Sequence, residues 1–209
     1  MPITVDVAAR LDALARATVA VAARRGAAGV TIRHVAAELG GSTTLVTNYL
    51  PSRAAVLANA LGWIVRAWER ERAAALAGVA RADRLGALAA WACTTTPDDD
   101  VFRALLVELL SRPDTAPDAR PFAAVAREHH AQLLAAARDA GVAPADAPFV
   151  ADTVFLLVRG AHFAAIEEPG RWTRLPHLVA CTVALLTAAP EPAPARAASA
   201  LHDAGIVPA

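Results

Sequence analysis

No lysine occurs in this sequence. All twenty basic residues are arginine, and twenty acids balance them to a net charge of zero. That balance argues against a nucleic-acid binder held by bulk charge alone. Cysteine is scarce. Cys93 and Cys181 show no metal-ligand spacing, and two such thiols fit a reducing compartment better than a disulfide scaffold. Long apolar runs are absent: hydrophobic residues make up 56% of the chain, yet no run approaches the roughly 20 residues of a membrane span. The opening MPITVDVAARLDAL lacks the basic start and apolar core of a signal peptide, so a cytoplasmic location is expected. Long β-branched alternations are few, which excludes an all-β reading. Alanine, the best helix former, supplies much of the apolar content, and the expected class is all-α. The 209 residues hold one large or two small domains. There is no glycine-rich phosphate loop, nucleophile elbow or metal-ligand spacing. An enzyme is therefore not expected, nor a cofactor or metal.

What is present centres on Thr31 to Leu57, TIRHVAAELGGSTTLVTNYLPSRAAVL. Ile32, Val35, Ala36 and Leu39 recur at i, i+3, i+4 and i+7, one stripe of a helix. Thr31 can cap that helix with its hydroxyl. Gly40 and Gly41 end it, because glycine enters the left-handed region a sharp turn needs. Ser42 can cap a second helix. There Leu45, Val46, Tyr49 and Leu50 share one side, and Thr43, Thr44, Thr47 and Asn48 the other. The apolar side can pack on Ile32, Val35 and Leu39. The polar side is small, uncharged and rich in hydrogen-bonding groups, the kind that can enter a DNA major groove and meet base edges. Pro51 stops the helix, and Ser52 can cap the next. Arg53 stands where a cation reaches a phosphate. Helix, glycine turn and helix compose a helix-turn-helix. The competing reading is an ordinary helical hairpin with a solvated outer face.

Charge distribution bears on that choice. Residues 1–53 carry six arginines against three acids, a surplus of three positive charges. The remainder carries fourteen against seventeen, a surplus of three negative. A basic head on an acidic body suits DNA contact at one end.

The stretch GVTIRHVAAELGGSTTLVTNYLPSRAAVLANAL resembles the DNA-binding domain of the TetR family of bacterial regulators. The matching features are the threonine opening the second helix, the Ala36 to Gly40 segment, the serine after the turn, and Tyr49-Leu50-Pro51-Ser52-Arg53. The close resemblance covers about the first sixty residues. Beyond them only helical pattern, length and order agree. Three positions depart from the family pattern. Gly41 replaces a small apolar residue, Thr47 a frequent tyrosine, and Leu50 a frequent phenylalanine.

In chain order, the first helix spans residues 5–25, with Val7, Leu11, Leu14, Thr18 and Val21 inward. Arg24 and Arg25 close it, either solvated or near phosphate. A long helix from Ser52 to Ala77 buries Val56, Leu57, Leu61, Ile64, Val65 and Trp68. The next, Arg81 to Thr94, holds Leu85, Leu88 and Trp91. Pro97 and Asp98-Asp99-Asp100 start another, the acids suiting a first turn better than a metal. That helix carries Phe102, Leu105, Leu106, Leu109 and Leu110. A proline-rich loop is expected up to Pro121, then a helix from Phe122 to Ala140 with Val125, His129, Leu133 and Leu134 inward. His129 and His130 are not at metal spacing on one face, and at least one is expected to be exposed. Pro144 to Glu168 is apolar over more than one face, as is Leu175 to Ala188. Such helices need cover on two sides, which suggests a partner chain. The tail from Pro190 is a mobile end or one short helix.

The residues and the resemblance together define the expectations. The architecture is all-α: a three-helix helix-turn-helix domain over residues 1–51, a helical effector-binding and dimerisation domain over 52–189, and the tail from 190. The resemblance implies a one-component transcriptional regulator, a repressor more often than an activator. It binds a palindromic double-stranded operator as a homodimer and is released by a small hydrophobic or aromatic effector. Thr43, Thr44, Thr47 and Asn48 are candidates for base edges, and Arg33 matches a family position that reaches base or backbone. Thr31, Ser42, Tyr49 and Arg53 are candidates for phosphate contacts. Candidate effector contacts, each also readable as plain core, are Trp63, Trp91, Phe102, Leu106, His129, Phe155 and His162. The resemblance implies dimerisation through the last two long helices. The candidate interface residues there are Phe149, Val150, Val154, Leu157, Val158, Ala161, Leu178, Val179 and Leu185. It also implies that the long fourth helix transmits ligand state. The alternatives are a helical ligand-binding or scaffold protein without operator binding, and a helical enzyme, which turnover without DNA binding would reveal.

Overall fold

The computed structural model describes residues 6–93, 97–111, 116–167 and 174–188. Among these residues the structure is helical throughout, with no strand. The helices are α1 Val7–Arg25, α2 Ile32–Glu38, α3 Thr43–Thr47, α4 Arg53–Ala75, α5 Arg84–Cys93, α6 Pro97–Leu110, α7 Ala116–Asp139, α8 Ala147–Glu167 and α9 Leu175–Ala188. The expected all-α class is the one observed. The tail from Pro190 and the side chain of Asp98 lie outside the described residues.

By packing, the chain forms two compact units. One comprises Met1–Glu71 with Thr96–Ala124, the other Arg72–Thr95 with Val125–Ala209. Helices α4, up to Glu71, and α6 group with the helix-turn-helix in this division.

The first unit is built on α1. Asp6 caps that helix, its carboxylate accepting from Ala9 N at 3.1 Å. Leu14, Val21, Val30, Val35, Val46, Val56, Leu57, Leu61 and Ile64 are all essentially inaccessible to solvent, the inward stripes the sequence periodicity requires. Thr18 is buried among them, and its hydroxyl donates to Leu14 O at 2.7 Å, so no polar group is stranded. Asn59 donates to Leu11 O at 2.9 Å, tying α4 to α1. Arg66 and Asp12 pair across the same two helices.

The second unit packs α5 against α8 and α9. Leu85, Leu88, Ala89, Leu133, Ala136, Ala137, Val150, Val154, Val158, Val179 and Val183 fill its core. Alanine and valine make up most of that cluster.

Several helix ends shift by two or three residues from expectation, and the start of α7 shifts most. α7 begins at Ala116, six residues before the expected Phe122. Pro117 falls in the first turn, which has no use for its missing N–H, and the helix runs on through Pro121 although that residue gives up one ladder bond.

Candidate nucleic-acid interface

The helix-turn-helix is assembled by capping and two glycines. Thr31 Oγ1 accepts from His34 N at 3.1 Å, capping α2 as its sequence position requires. The His34 ring adds a contact from Nδ1 to Gly29 O at 2.7 Å, fixing the entry loop. At the other end Gly40 adopts φ 65°. Gly41 N donates to Ala36 O at 2.9 Å and Gly40 N to Ala37 O at 3.0 Å. These crossed bonds are a Schellman closure, and they satisfy carbonyls the helix end leaves free.

α3 has five residues, too few for a helix to be stable alone. Tertiary packing holds it. Val46 is fully buried and Leu50 nearly so, while Leu45 and Tyr49 are half-buried. α3 packs on α2. Thr43, Thr44, Thr47 and Asn48 are all exposed, on one uncharged face. Arg33 on α2 is exposed as well. The two-sided division expected from periodicity is therefore realised. Ser42 differs from expectation, because its side chain makes no capping bond. The first turn of α3 is closed instead by Leu45 N donating to Ser42 O at 3.1 Å, and the Ser42 side chain is exposed.

Arg53 requires a correction. It was expected to face a phosphate. Its Nε donates to Val30 O at 2.6 Å and its terminal nitrogens to Ala27 O and Glu108 Oε1, each at 2.9 Å. The guanidinium is thus engaged in joining the loop before α2, the start of α4 and α6. The planar fork of arginine, with five donors, suits this role where lysine would not. Glu108 is a functional partner that periodicity did not mark. Arg24 is likewise paired, with Glu38 of α2, while Arg25 is exposed.

The candidate effector contacts divide between the two units. Trp63, Phe102 and Leu106 belong to the first, where the rings of Phe102 and Trp68 lie 4.3 Å apart and Phe122 meets Phe102 edge-on at 6.4 Å. Trp91, His129 and Phe155 belong to the second. The His129 ring stands edge-on to Trp91 at 6.1 Å and to Phe155 at 6.0 Å. The sequence expectation did not include His130, Asp152 and Arg159, which complete this group. His130 Nε2 lies 2.6 Å from Asp152 Oδ1, and Arg159 sits 4.7 Å over the Phe155 ring. Partial desolvation of the Arg159 guanidinium, on a residue still exposed to solvent, lowers its pKa. Spacing held the clue for one link, since Phe155 and Arg159 are four apart on α8. His129 and His130 are both half-buried, so neither takes the fully exposed place expected for one of them. The side chain of His162 lies outside the described residues.

The expected dimer residues also need correction. Val150, Val154, Val158, Ala161 and Val179 are consumed by the core of their own unit, and Phe149 packs against it. They line the stripe of α8 and α9 that faces within the chain, so an interface cannot use them without unpacking it. Leu157, Leu178 and Leu185 remain exposed, joined by Leu156. Acids at the start of α6 behave as first-turn residues: Asp100 pairs with Arg103, and Asp99 is buried. Among the described residues no group of three or more potential metal ligands occurs, and no helix is long and apolar enough to cross a membrane.

Fold and site together define an all-α chain with a helix-turn-helix in its N-terminal unit. Its architecture is that of solved TetR-family regulator structures. A Rhodococcus sp. protein assigned to the TetR-family transcriptional regulators superposes with TM-score 0.69 at 19% identity, over 86% of this chain and 99% of its own. A transcriptional regulator from Pseudomonas aeruginosa PAO1 gives TM-score 0.71 at 20% identity, over 88% and 91%. The multidrug binding protein EbrR, complexed with imidazole, gives 0.63 at 22%, over 87% and 90%. No protein-family model matches the sequence, and no curated protein matches it.

Proposed function

We propose that the protein is a DNA-binding transcriptional regulator acting as a homodimeric repressor on a palindromic operator. The observation that carries this reading is the exposed, uncharged face Thr43, Thr44, Thr47 and Asn48 on a helix anchored by Val46 and Leu50. Hydroxyls and a carboxamide in that setting can donate to and accept from base edges, and threonine methyls can meet thymine methyls. Arg33, Thr31, Ser42 and Tyr49 supply base or backbone contacts beside it. Two-fold symmetry places two such helices in successive major grooves. The exposed leucines of α8 and α9, Leu156, Leu157, Leu178 and Leu185, are the surface a second copy covers. A small hydrophobic or aromatic effector, bound by the aromatic and imidazole groups of the helical body, shifts the chain toward a form with lower operator affinity.

The test is selection of bound sequences from a random double-stranded pool at physiological salt, where arginine-driven non-specific binding is weak. Enrichment of one inverted repeat supports the reading. A folded dimer that enriches nothing, with or without added effector candidates, overturns it. A second reading, a helical ligand-binding protein without operator, draws support from Arg24 and Arg53, whose charges are met by Glu38 and Glu108. In that case effector binding persists while the pool returns no consensus.

A further inference from the structure

α9 contains no aspartate, glutamate, lysine or arginine. Its two titratable side chains are His177 and Cys181, both exposed. They stand at i and i+4, one above the other on a single helical face, a ligand spacing that the sequence expectation of no metal did not take in. Cys181 Sγ lies 3.5 Å from His177 Nε2. A tetrahedral cation bound at about 2.3 Å from a thiolate and about 2.0 Å from an imidazole holds those two donors about 3.5 Å apart. The pair already stands at the separation such an ion imposes. The same face carries Leu178 and Leu185, exposed by 50% and 73%. Val179 and Val183 turn the opposite side of α9 into the core.

We propose that His177 and Cys181 form half of a tetrahedral site for a borderline-soft divalent cation such as zinc, and that a second copy of the chain supplies the other half. Among the described residues of one chain no third ligand joins them, and the proposal draws the remaining two from the second copy. The inference rests on the homodimer reading above, in which the exposed face of α9 is covered by its copy. In a two-fold contact the residues nearest the axis meet their own counterparts. Cys181 is at the middle of α9, Leu175–Ala188, the position that comes nearest its copy when two such helices cross at their centres. The resulting donor set is two thiolates and two imidazoles, a closed structural zinc set. Binding releases the thiol proton of each Cys181 to solvent and requires neutral imidazoles. The site therefore weakens as pH falls.

The test uses the full chain, treated with a chelator and titrated with cobalt(II), then with zinc. The expected result is saturation at one cobalt per two chains, with the intense visible bands of a tetrahedral ion and thiolate-to-metal charge transfer. Zinc then displaces the cobalt. Cys93 is buried and its thiol pKa is raised by that burial, so alkylation of the native protein reports on Cys181. Zinc is expected to slow that alkylation at least tenfold. Cys181→Ser and His177→Ala each abolish the cobalt spectrum, and His177→Ala also abolishes protection of the remaining thiol. Both positions are exposed, and retained helical circular dichroism separates a lost site from a lost fold. An unchanged spectrum in either variant overturns the assignment, and saturation at one cobalt per chain overturns the role of the second copy. Sedimentation in chelator reads the dimer separately. A metal-free dimer that binds no cobalt overturns this proposal and leaves the homodimer standing. A monomer that binds no cobalt overturns both.

Discussion

Arg53 and Glu108 stand 2.9 Å apart, nitrogen to carboxylate oxygen, with each side chain about four-fifths buried. The pair joins the first turn of α4 to α6 and shares its arginine with the carbonyls of Ala27 and Val30. Truncating Arg53 leaves the Glu108 charge and two carbonyls poorly solvated, whereas truncating Glu108 leaves only the arginine's charge without its carboxylate. Arg53→Ala is expected to cost about 2 kcal/mol, and Glu108→Gln about 1 kcal/mol, since the amide keeps an acceptor. Thermal melts check this: a change of about 2–4 °C per kcal/mol is expected for a chain of this size. An unshifted melt for Arg53→Ala would mean the clamp is dispensable.

Arg33→Ala and Asn48→Ala remove exposed side chains, so stability should stay within about 0.5 kcal/mol of the parent. Specific operator affinity should fall by about 1–3 kcal/mol for each change that removes a base contact. Binding titrations at fixed salt, paired with melts, separate the two effects.

The two glycines of the turn should respond in opposite directions. Gly40 has φ 65°, where a Cβ is strained, and Gly40→Ala is expected to destabilise by about 1 kcal/mol. Gly41 lies outside the left-handed region, and an added Cβ would meet Leu45 Cδ1 at 2.9 Å, the movable end of a flexible side chain. Gly41→Ala is expected to stabilise by about 0.4–1 kcal/mol through the unfolded state once Leu45 yields. Denaturant unfolding of both variants decides it; equal shifts would refute the turn geometry.

Cys93 gives a pH signature. Burial raises its thiol pKa above the ordinary value of 9.0, so the native state holds this proton more tightly than the unfolded chain. The stabilisation is fully present below the unfolded pKa and is lost as pH rises through the folded value. Stability should fall from pH 8 to pH 10 more steeply in the parent than in Cys93→Ala. Parallel melts of the two proteins measure that difference, and identical slopes would remove the thiol as its cause.

Much of this architecture was legible in the residues. The stripe Ile32, Val35, Ala36, Leu39 and the split of α3 into Val46 and Leu50 against Thr43, Thr44, Thr47 and Asn48 follow from helical period alone. Caps were partly legible: Thr31 behaves as its position suggests, whereas the Ser42 carbonyl closes the turn without its hydroxyl. Long-range pairing was not legible. Nothing near Arg53 in sequence announces Glu108, because a guanidinium's partner is chosen by how helices pack, not by spacing. The same limit explains α8. Its apolar surplus was evident, but Val150, Val154 and Val158 look the same in sequence whether they meet their own chain or another. Pro117 and Pro121 show the opposite error: they read as loop, yet Pro117 lies in a first turn, where proline is harmless, and α7 carries Pro121 as well.

The separation of labour on α3 has a consequence for how such a chain can change over generations. Its anchoring side chains are buried and its outward side chains are exposed. Residues 43, 44, 47 and 48 can be exchanged for other small polar types at almost no cost to the fold, while Val46 and Leu50 cannot. The outward face is thus a replaceable label on a fixed mount, and under the proposed function its preference is free to drift faster than the scaffold that carries it.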